Sequence, residues 1–427
     1  MTNTPPSWSL TKSAADEVNR YREKKKQRLL EMVSSLLQSD SIEPLFLRDK
    51  HFDIEVVKAI ASALEKNTCL LQLNLSANKI DDEGGKVMAM ALEKNSCLQE
   101  IDLCSNKIGD EGGKAIAAAL EKNSNSSLKR LSLHHNEIGE EGAKAIGAAL
   151  EINTSLRILD LGDNNIGVEG SKKIGIALEK NTSLQELALY RSNIGVEGAI
   201  AIGVALEKNT SLKQLNLEGN RIGDAGVIAI SSALGKCSSL EKLDLGFNDI
   251  GVAGGELIAA SLEKNSSLQQ LDLRFNEIGV GGGKAFGFAL EKNASLKTLN
   301  LIGNKIGSEG AISFGSALVK NCCCCLQELD LSSNQIDDDG GKAMVVVLKT
   351  NFTLQVLSMG YNSFSETGLK GLALARKQRK WSRVIVLFLV VNTFKIKTPF
   401  ISNDNIYYLA KFLPLPEQVP KNDGIWC

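Results

Sequence analysis

Residues 240–267 read LEKLDLGFNDIGVAGGELIAASLEKNSS, and residues 268–295 repeat the pattern as LQQLDLRFNEIGVGGGKAFGFALEKNAS. Copies of this pattern follow one another at a fixed period, with steps two residues longer after Leu98, Leu296 and Leu354. Self-similarity at a period of about 28 residues indicates a repeat protein, in which each unit packs on the next. The regular units begin at Leu70, Leu98, Leu128, Leu156, Leu184, Leu212, Leu240, Leu268, Leu296, Leu326 and Leu354. Degenerate units start at Ile42 and Val384, as is usual for terminal repeats, which must face water.

Each unit has a strand half and a helix half. The first half, Leu-x-x-Leu-x-Leu-x-x-Asn-x-Ile, alternates apolar and polar residues, which predicts a short half-buried strand. The second half opens with glycine and acidic residues, as at Gly109–Gly113, and continues with apolar residues at helical spacing. We expect each helix to end at the asparagine of a Glu-Lys-Asn triplet, in the left-handed conformation.

The order of these elements predicts the architecture. Because a helix follows every strand, successive strands must run parallel. Parallel strands stack about 4.8 Å apart whereas helices are about 10 Å wide, so the stack must bend with its strands inside. The predicted fold class is an α/β solenoid, or horseshoe, with a parallel β-sheet on the concave face and α-helices on the convex face.

One asparagine recurs in almost every unit, just after the strand. Its carboxamide is suited to satisfy backbone donors and acceptors where the chain leaves the strand, so we interpret this asparagine column as structural. Ser192 interrupts the column, and Asn193 is displaced from it by one residue. The members are Asn78, Asn106, Asn136, Asn164, Asn220, Asn248, Asn276, Asn304, Asn334 and Asn362.

The LxLxxNxIG strand followed by an alanine-rich helix, repeated at this period, resembles the ribonuclease-inhibitor class of leucine-rich repeats. Similar repeats occur in NOD-like receptors and in Ran GTPase-activating proteins. The resemblance implies that the chain binds another protein on its concave face, without naming the partner. No GxxxxGK[ST] loop occurs, so a complete receptor with a nucleotide-binding domain is not expected.

Charge divides the chain into three predicted segments. Residues 1–41, an N-terminal amphipathic helix or cap, carry a net charge of +2. The repeats, residues 42–375, carry −9, and the basic C-terminal extension, residues 376–427, carries +6. An acidic repeat array disfavours nucleic acid as its partner and favours a basic protein. The resemblance to Ran GTPase-activating proteins implies a small GTPase as the alternative partner.

The sequence also suggests a compartment. The N-terminus lacks the apolar region of a secretory signal, and the longest apolar run, Val384–Val391, is too short to span a bilayer. The nine cysteines form no disulfide framework, and glycosylation sequons recur with the repeat at Asn153, Asn181, Asn209, Asn265 and Asn293. We therefore expect a cytoplasmic location, with the nucleus as the alternative.

No motif predicts catalysis, a metal site or a cofactor. The adjacent cysteines Cys322–Cys325 lack the C-x-x-C spacing with which thiolates converge on zinc, and their role stays open. The three histidines His51, His134 and His135 are not part of any nucleophile motif. Glycine-rich turns recur in every unit, so they belong to the fold rather than to a phosphate site.

The concave face supplies the candidate binding residues. The position between the two strand leucines forms a ladder of acidic and amide residues that includes Asp160, Asp244 and Asp272. Stacked carboxylates repel, so water or a basic partner must compensate them. The next two positions hold small residues in most units but large or charged ones in the middle of the array, which are typical interface anchors. They are His134, His135, Tyr190, Arg191, Glu218, Phe247, Arg274 and Phe275. Drift on a solvated face is the alternative interpretation.

From the sequence alone, we therefore expect a non-enzymatic scaffold that binds a folded protein in its arc. One alternative is a GTPase activator similar to the Ran-directed family, although the acidic tail of that family is replaced here by a basic one. Another is a sensing or regulatory protein of the NOD-like-receptor type without its nucleotide-binding domain. Oligomeric state and pathway are not readable from the sequence, nor is whether residues 393–427 fold as a cap.

Overall fold

The computed structural model describes residues 44–122, 127–320 and 325–378, together with Gln27 and Glu31. All of these residues fall in one compact unit of the chain, Met1–Phe388. The predicted N-terminal helix lies outside the described residues, apart from Gln27 and Glu31, which are helical and joined by a hydrogen bond of 3.0 Å. The degenerate unit at Val384 and the basic extension beyond Gln378 lie outside them entirely.

Strands and helices alternate along the whole described array. The strands are β1 (Leu45–Phe46), β2 (Gln72–Asn74), β3 (Glu100–Asp102), β4 (Arg130–Ser132), β5 (Ile158–Asp160), β6 (Glu186–Ala188), β7 (Gln214–Asn216), β8 (Lys242–Asp244), β9 (Gln270–Asp272), β10 (Thr298–Asn300), β11 (Glu328–Asp330) and β12 (Val356–Ser358). The helices are α1 (Ile54–Lys66), α2 (Asp82–Lys94), α3 (Asp110–Lys122), α4 (Glu140–Ile152), α5 (Gly167–Lys180), α6 (Gly195–Leu206), α7 (Gly223–Leu234), α8 (Val252–Leu262), α9 (Gly279–Leu290), α10 (Gly307–Lys320), α11 (Asp338–Thr350) and α12 (Glu366–Gln378).

The described strands form one 12-stranded parallel sheet in sequence order. Register follows the repeat, so Leu243 of β8 pairs with Leu271 of β9, and Asp244 pairs with Asp272. The longer unit that begins at Leu98 keeps the same alignment, since Glu100 pairs with Arg130. The extra two residues are therefore absorbed outside the strands. This sheet and its helices confirm the predicted α/β solenoid.

The core is a continuous layer of leucine and isoleucine between the sheet and the helices. In β2 to β12 the central residue is buried, and in most of these strands both of its neighbours are at least partly exposed, as the period-two pattern predicts. In α3, Ile116, Ala117 and Leu120 are buried on the same helix face. Two phenylalanines, Phe286 and Phe314, are the largest of the fully buried side chains. Each unit therefore buries its apolar face against its neighbours rather than within itself.

The asparagine column forms hydrogen-bonded steps from unit to unit. Nδ2 of Asn106 donates to the carbonyl oxygens of Leu75 and Leu103, at 3.1 and 2.8 Å. Its Oδ1 accepts from the backbone nitrogens of Asn78 and Ile80, at 2.9 and 3.0 Å. Burial of backbone donors and acceptors without such partners would cost free energy, so a side chain with hydrogen-bonding groups is favoured here. At Ser192, which interrupts the column, the hydroxyl Oγ donates to the carbonyl oxygens of Leu161 and Tyr190 instead.

Acidic residues link the helix starts of neighbouring units. Oδ1 of Asp82, in the first turn of α2, accepts hydrogen bonds from Gly109 N and Gly112 N, at 2.8 and 2.7 Å. Oδ1 of Asp110 does the same for Gly139 and Gly142 in the next unit. These carboxylates satisfy amide groups that a helix start leaves open.

The helix ends differ from the sequence-based expectation. The asparagines that end α1, α2, α4, α5 and α11 have negative φ and extended backbone, for example φ −72° and ψ 125° at Asn181, rather than the left-handed conformation. Their side chains explain the difference. Oδ1 of Asn181 accepts from Ser183 N and Leu184 N, at 3.0 and 2.8 Å, and Nδ2 donates to Leu150 O and Asn153 O, at 2.7 and 3.0 Å. The helix ends thus form a second asparagine ladder, which the sequence analysis noticed only as sequons.

Candidate functional site on the strand face

The candidate residues lie at the ends of the central strands, β4 to β9, on the face that does not carry the helices. The structure gathers them into two clusters. One contains His134, Asp160 and Tyr190, with His135 beside it. The other contains Glu218, Asp244, Asp272 and Arg274, with Arg191, Phe247 and Phe275 at its margins.

His134 lies at the centre of the first cluster. Its Nδ1 is 3.1 Å from Ser132 Oγ and 3.3 Å from Asp160 Oδ2. Burial lowers the pKa of His134, but the Asp160 carboxylate and the neighbouring Cys104 outweigh burial and raise that pKa to about 10. His134 is therefore positively charged at neutral pH and compensates Asp160 from within the chain. The exposed His135 is paired separately, with Nδ1 at 2.6 Å from Asp163 Oδ2.

Tyr190 lies beside His134 and covers a glycine of the preceding unit. The two rings are tilted by 47°, with centroids 6.4 Å apart. A Cβ atom at Gly162 would lie 2.1 Å from Cε1 of Tyr190, so the ring occupies the space that a side chain would need. Burial and the carboxylates of Asp160 and Asp163 raise the pKa of the Tyr190 hydroxyl, which keeps it neutral.

Arg274 neutralises part of the acidic ladder. Its Nη1 donates to Asp272 Oδ2 at 2.6 Å, and its Nη2 donates to Glu218 Oε2 at 2.7 Å and to Asp244 Oδ2 at 3.4 Å. The Arg274 side chain is only 15% exposed. Part of the compensation expected from water or a partner thus comes from Arg274, which acts as a counter-ion of the ladder.

The ladder still carries more negative than positive charge. Three carboxylates surround Arg274, and the next guanidinium, that of the exposed Arg191, is 3.9 Å from Glu218 Oε1. Burial, with Asp272 adding its repulsion, raises the pKa of Asp244 to about 7 against the opposing effect of Arg274. Burial also raises the pKa of Asp272. The cluster therefore takes up a proton near neutral pH.

Phe247 and Phe275 form a stacked aromatic pair next to the acidic cluster. Their ring centroids are 4.6 Å apart and their planes differ by 26°. Phe275 lies over Gly303, where a Cβ atom would be 2.7 Å from its Cδ1. Both side chains are partly exposed, so the pair presents an apolar surface on a face that is otherwise polar.

Phe247 and Phe275 also occupy a strained backbone position. The same position has positive φ in all twelve described units, and φ is 55° at Phe247 and 52° at Phe275. Bulky side chains are outliers in this region, at a cost of about 1–3 kcal/mol each. The backbone alone would favour glycine here, as found at Gly219 and Gly303.

Glycines in adjacent units accommodate the large residues, a relation that the sequence analysis missed. Tyr190 lies over Gly162, Arg191 approaches Gly219, and Arg274 crosses Gly246, with a Cγ atom 3.0 Å from the Cβ position in both arginine pairs. The signal was present in the sequence, because each of these glycines lies one repeat period from its large partner. It becomes recognisable only once the side-chain directions are known.

A second surface lies on the helix side of the array. One outward position holds lysine in α1 to α5, namely Lys58, Lys86, Lys114, Lys144 and Lys172, and then changes to isoleucine at Ile200 and Ile228. Both isoleucines are exposed, as are the neighbouring Ile176 and Val204. This helix-face patch (Ile176, Ile200, Val204 and Ile228) offers a matched control for experiments on the strand face.

Among the described residues, no group of three or more His, Cys, Asp or Glu side chains is arranged to hold a metal ion. Cys322–Cys324 lie outside those residues, and Cys325 is exposed. No helix in the described part of the chain has the length and apolarity needed to cross a membrane.

Comparison with known proteins identifies the repeat. A family model described as "Leucine Rich repeat" matches eleven segments between residues 66 and 373, which are 66–89, 94–117, 124–147, 153–175, 180–203, 208–231, 236–259, 264–287, 292–315, 322–345 and 350–373. No curated protein matches the chain. The ribonuclease-inhibitor subtype is compatible with the family match but is not distinguished by it.

Two solved structures each match about a third of the chain. "Leiomodin-1 Actin-Binding Site 2 (ABS2)" is 25% identical, with a TM-score of 0.31, over 36% of this chain and 88% of that one. The tropomodulin C-terminal domain of Caenorhabditis elegans is 16% identical, with a TM-score of 0.31, over 36% of this chain and 92% of that one.

Proposed function

Because the chain belongs to the leucine-rich repeat family, we propose that it is a binding scaffold that holds a folded protein against the strand face of its central units. Repeat proteins of this family generally act as interaction scaffolds rather than as enzymes. The proposed contact residues are His134, His135, Asp160, Tyr190, Arg191, Glu218, Asp244, Phe247, Asp272 and Phe275. The asparagine column and Arg274 hold this surface in place from within.

One observation carries the proposal: large side chains on the strand face are paired with glycines in adjacent units. Tyr190 with Gly162 and Phe275 with Gly303 are two such pairs. Random drift would not be expected to place a large residue and its matching glycine together repeatedly.

Preorganisation makes these residues suitable anchors. A side chain that already lies against its neighbours loses little conformational entropy when a partner docks. Aromatic and arginine side chains at the centre of an interface usually contribute most of its binding free energy. The paired charges around Arg274 and His134 would then set orientation and specificity.

The proposal is tested by crosslinked capture from native lysate followed by binding assays with purified partners. The strand-face variant carries Tyr190→Ser, Arg191→Ser, Phe247→Ser and Phe275→Ser, which restore small residues found in other units. Its control carries Ile200→Lys and Ile228→Lys, which restore the common residue of the helix-face patch.

We expect at least one partner to be captured by the wild type and by the helix-face control but lost, by about tenfold or more in affinity, from the strand-face variant. Circular dichroism and urea unfolding would establish that both variants are folded. Retention of every specific partner by the strand-face variant would overturn the proposal. Loss from the control alone would move the binding surface to the helices.

A further inference from the structure

We propose that the Phe247–Phe275 pair receives a basic side chain, Arg or Lys, borne on an apolar segment of the bound protein. This inference rests on the proposed function and specifies the chemistry of the partner at one point of the strand face. The proposed occupant of the aromatic surface is a basic side chain, and binding of a neutral or acidic segment there would contradict the proposal.

The aromatic pair provides the apolar half of the recognition. The rings stack at 4.6 Å, and Phe275 is fixed across Gly303, so the surface exists before any partner arrives. The methylene stem of a lysine or arginine packs well on such a surface while its charged end continues beyond it. A cation at a ring face also gains from the aromatic quadrupole.

The charge next to the rings selects the sign of the occupant. Asp244 precedes Phe247 by three residues and Asp272 precedes Phe275 by three residues, so both carboxylates lie at the ends of the strands that lead into the pair. Arg274 is shared among Asp244, Asp272 and Glu218, and Arg191 approaches Glu218 at 3.9 Å. Among the ion pairs of the described residues, Asp244 and Asp272 therefore have one cation between them, and they are the two carboxyl groups that precede the rings. An acidic side chain placed on the rings would add to this excess, whereas a basic one would relieve it.

Proton uptake by the cluster agrees with this assignment. With the pKa of Asp244 raised to about 7, the cluster holds part of a proton at neutral pH. The groups that face Asp244 are Asp272, Glu218 and Arg274, together with the backbone amide of Gly246. A bound cation would favour the ionised carboxylate and displace the proton.

The test uses a random peptide library displayed on phage, selected against the full chain and eluted by excess soluble protein. We expect enriched peptides that carry an Arg or Lys beside an apolar residue. A synthetic copy of the best peptide should lose about tenfold or more in affinity when its basic residue is replaced by citrulline or norleucine, which keep the stem without the charge. Phe247→Ala and Phe275→Ala should each cause a similar loss.

Phe352→Ala is the matched control, because Phe352 is 79% exposed and lies in the loop before β12. It should leave peptide affinity unchanged. Enriched peptides that need Phe247 and Phe275 but are neutral or acidic would overturn this inference while supporting the strand face as a binding surface. The inference would also be contradicted by peptides that bind both phenylalanine variants as tightly as the wild type, or by failure to select any binder. The lysate capture described above tests the proposed function independently of this result.

Calorimetry gives an independent readout. The enthalpy of peptide binding is measured near pH 7 in phosphate and in Tris, which differ in ionisation enthalpy. The two binding enthalpies should differ by an amount that corresponds to release of a fraction of a proton. The release should disappear in Asp244→Asn, which has no proton to lose. Equal enthalpies in both buffers for the wild type would contradict displacement of a proton by the bound cation.

Discussion

Tyr190 and Gly162 show how a residue in one unit determines the neighbouring unit's surface. The ring of Tyr190 fills the space above Gly162, and a Cβ atom there would approach Cε1 to 2.1 Å. The phenol is also held beside His134, whose charge is compensated by Asp160. The position of the ring on the strand face is therefore set by a residue that has no side chain of its own.

Gly162→Ala should displace the Tyr190 ring and destabilise the protein by about 1–3 kcal/mol, as overpacking usually does. The same substitution in a Tyr190→Ala background should cost much less, since the obstructing ring is gone. Urea unfolding of the two single variants and the double variant measures this coupling. Gly371→Ala in α12, where nothing lies within 4 Å of the added atom, is the control. Equal costs of Gly162→Ala in both backgrounds would contradict the contact.

Asp244 predicts a pH dependence of stability. An acid whose pKa is raised on folding, here to about 7, binds more protons in the folded state than in the unfolded state between about pH 4 and 7. The contribution of Asp244 to the free energy of unfolding therefore decreases as the pH rises through this range. Asp244→Asn removes the titration, so the variant should gain stability relative to the wild type from pH 5 to pH 8.

Thermal melts of both proteins across that range provide the measurement. His134 should contribute a separate slope, since its pKa is raised to about 10: its stabilisation is complete below about pH 6.5 and is lost as the pH rises through 10. His134→Gln removes this contribution and serves as a control: it should destabilise the protein most below about pH 6.5, and its difference from the wild type should shrink as the pH rises towards 10. If the melting temperatures of the wild type and Asp244→Asn change with pH in the same way, the pKa of Asp244 does not differ between the folded and unfolded states.

At the scale of the element, the helix ends depend on asparagine as both donor and acceptor. Asn181 closes α5, is nearly fully buried, and donates through Nδ2 to two carbonyl oxygens while its Oδ1 accepts from two amides. Asn181→Asp keeps the shape but places carboxylate oxygen against Leu150 O and Asn153 O. We expect a loss of about 2–4 kcal/mol in the free energy of unfolding.

Asn193→Asp is the matched control for that prediction. Asn193 is exposed, and its Nδ2 donates a hydrogen bond of 3.0 Å to Oδ1 of the equally exposed Asn165. The control should change stability by less than about 0.5 kcal/mol. Comparable losses in both variants, measured by urea unfolding, would show that the buried ladder has no special role.

The sequence predicts strands and helices well because both repeat a strong periodic pattern. Leu243 of β8 and the apolar face of α3 are buried as their spacing indicates. The conformation of the helix ends could not be read in the same way, since asparagine suits both a left-handed end and a side-chain acceptor. Only the positions of Leu150 and Asn153 in the preceding unit decide between them.

At the scale of the whole molecule, the array is a one-dimensional stack. Within the described residues, extensive helix–helix and strand–strand contacts join consecutive units. Stability in such a protein is approximately a sum over units and their shared interfaces. Removing one complete period should therefore join two compatible surfaces, whereas removing a fraction of a period should not.

Deletion of residues 212–239 removes β7 and α7 and places Leu240 where Leu212 was. We expect a folded, soluble protein with unchanged helicity per residue and a lower unfolding midpoint. Deletion of residues 226–239 removes half a period, including most of α7, and leaves β7 and β8 without the helix that must join two parallel strands, so it should not fold. Similar circular dichroism and solubility for the two deletions would contradict a strict repeat register.

The candidate site is less predictable than the fold because it depends on pairs of residues in different units. The sequence identifies Phe247, Tyr190 and Arg274 as departures from the consensus, but their spacing does not show that Arg274 turns inward across Gly246. The direction of the Arg274 side chain depends on packing across the sheet. It determines how far the guanidinium compensates the acidic ladder and how far it is presented to a partner.

The buried asparagine ladder has a consequence for producing the protein. Asn153, Asn181, Asn209, Asn265 and Asn293 all lie in sequons, and each uses its Nδ2 as a hydrogen-bond donor inside the fold. N-linked glycans attach through this nitrogen. In a secretory host, the oligosaccharyltransferase meets the nascent chain before it folds, and a sugar added then would occupy the place of a carbonyl oxygen of the preceding unit. Expression in bacteria or in a eukaryotic cytosol avoids this modification, and a secreted preparation would yield misfolded glycoprotein.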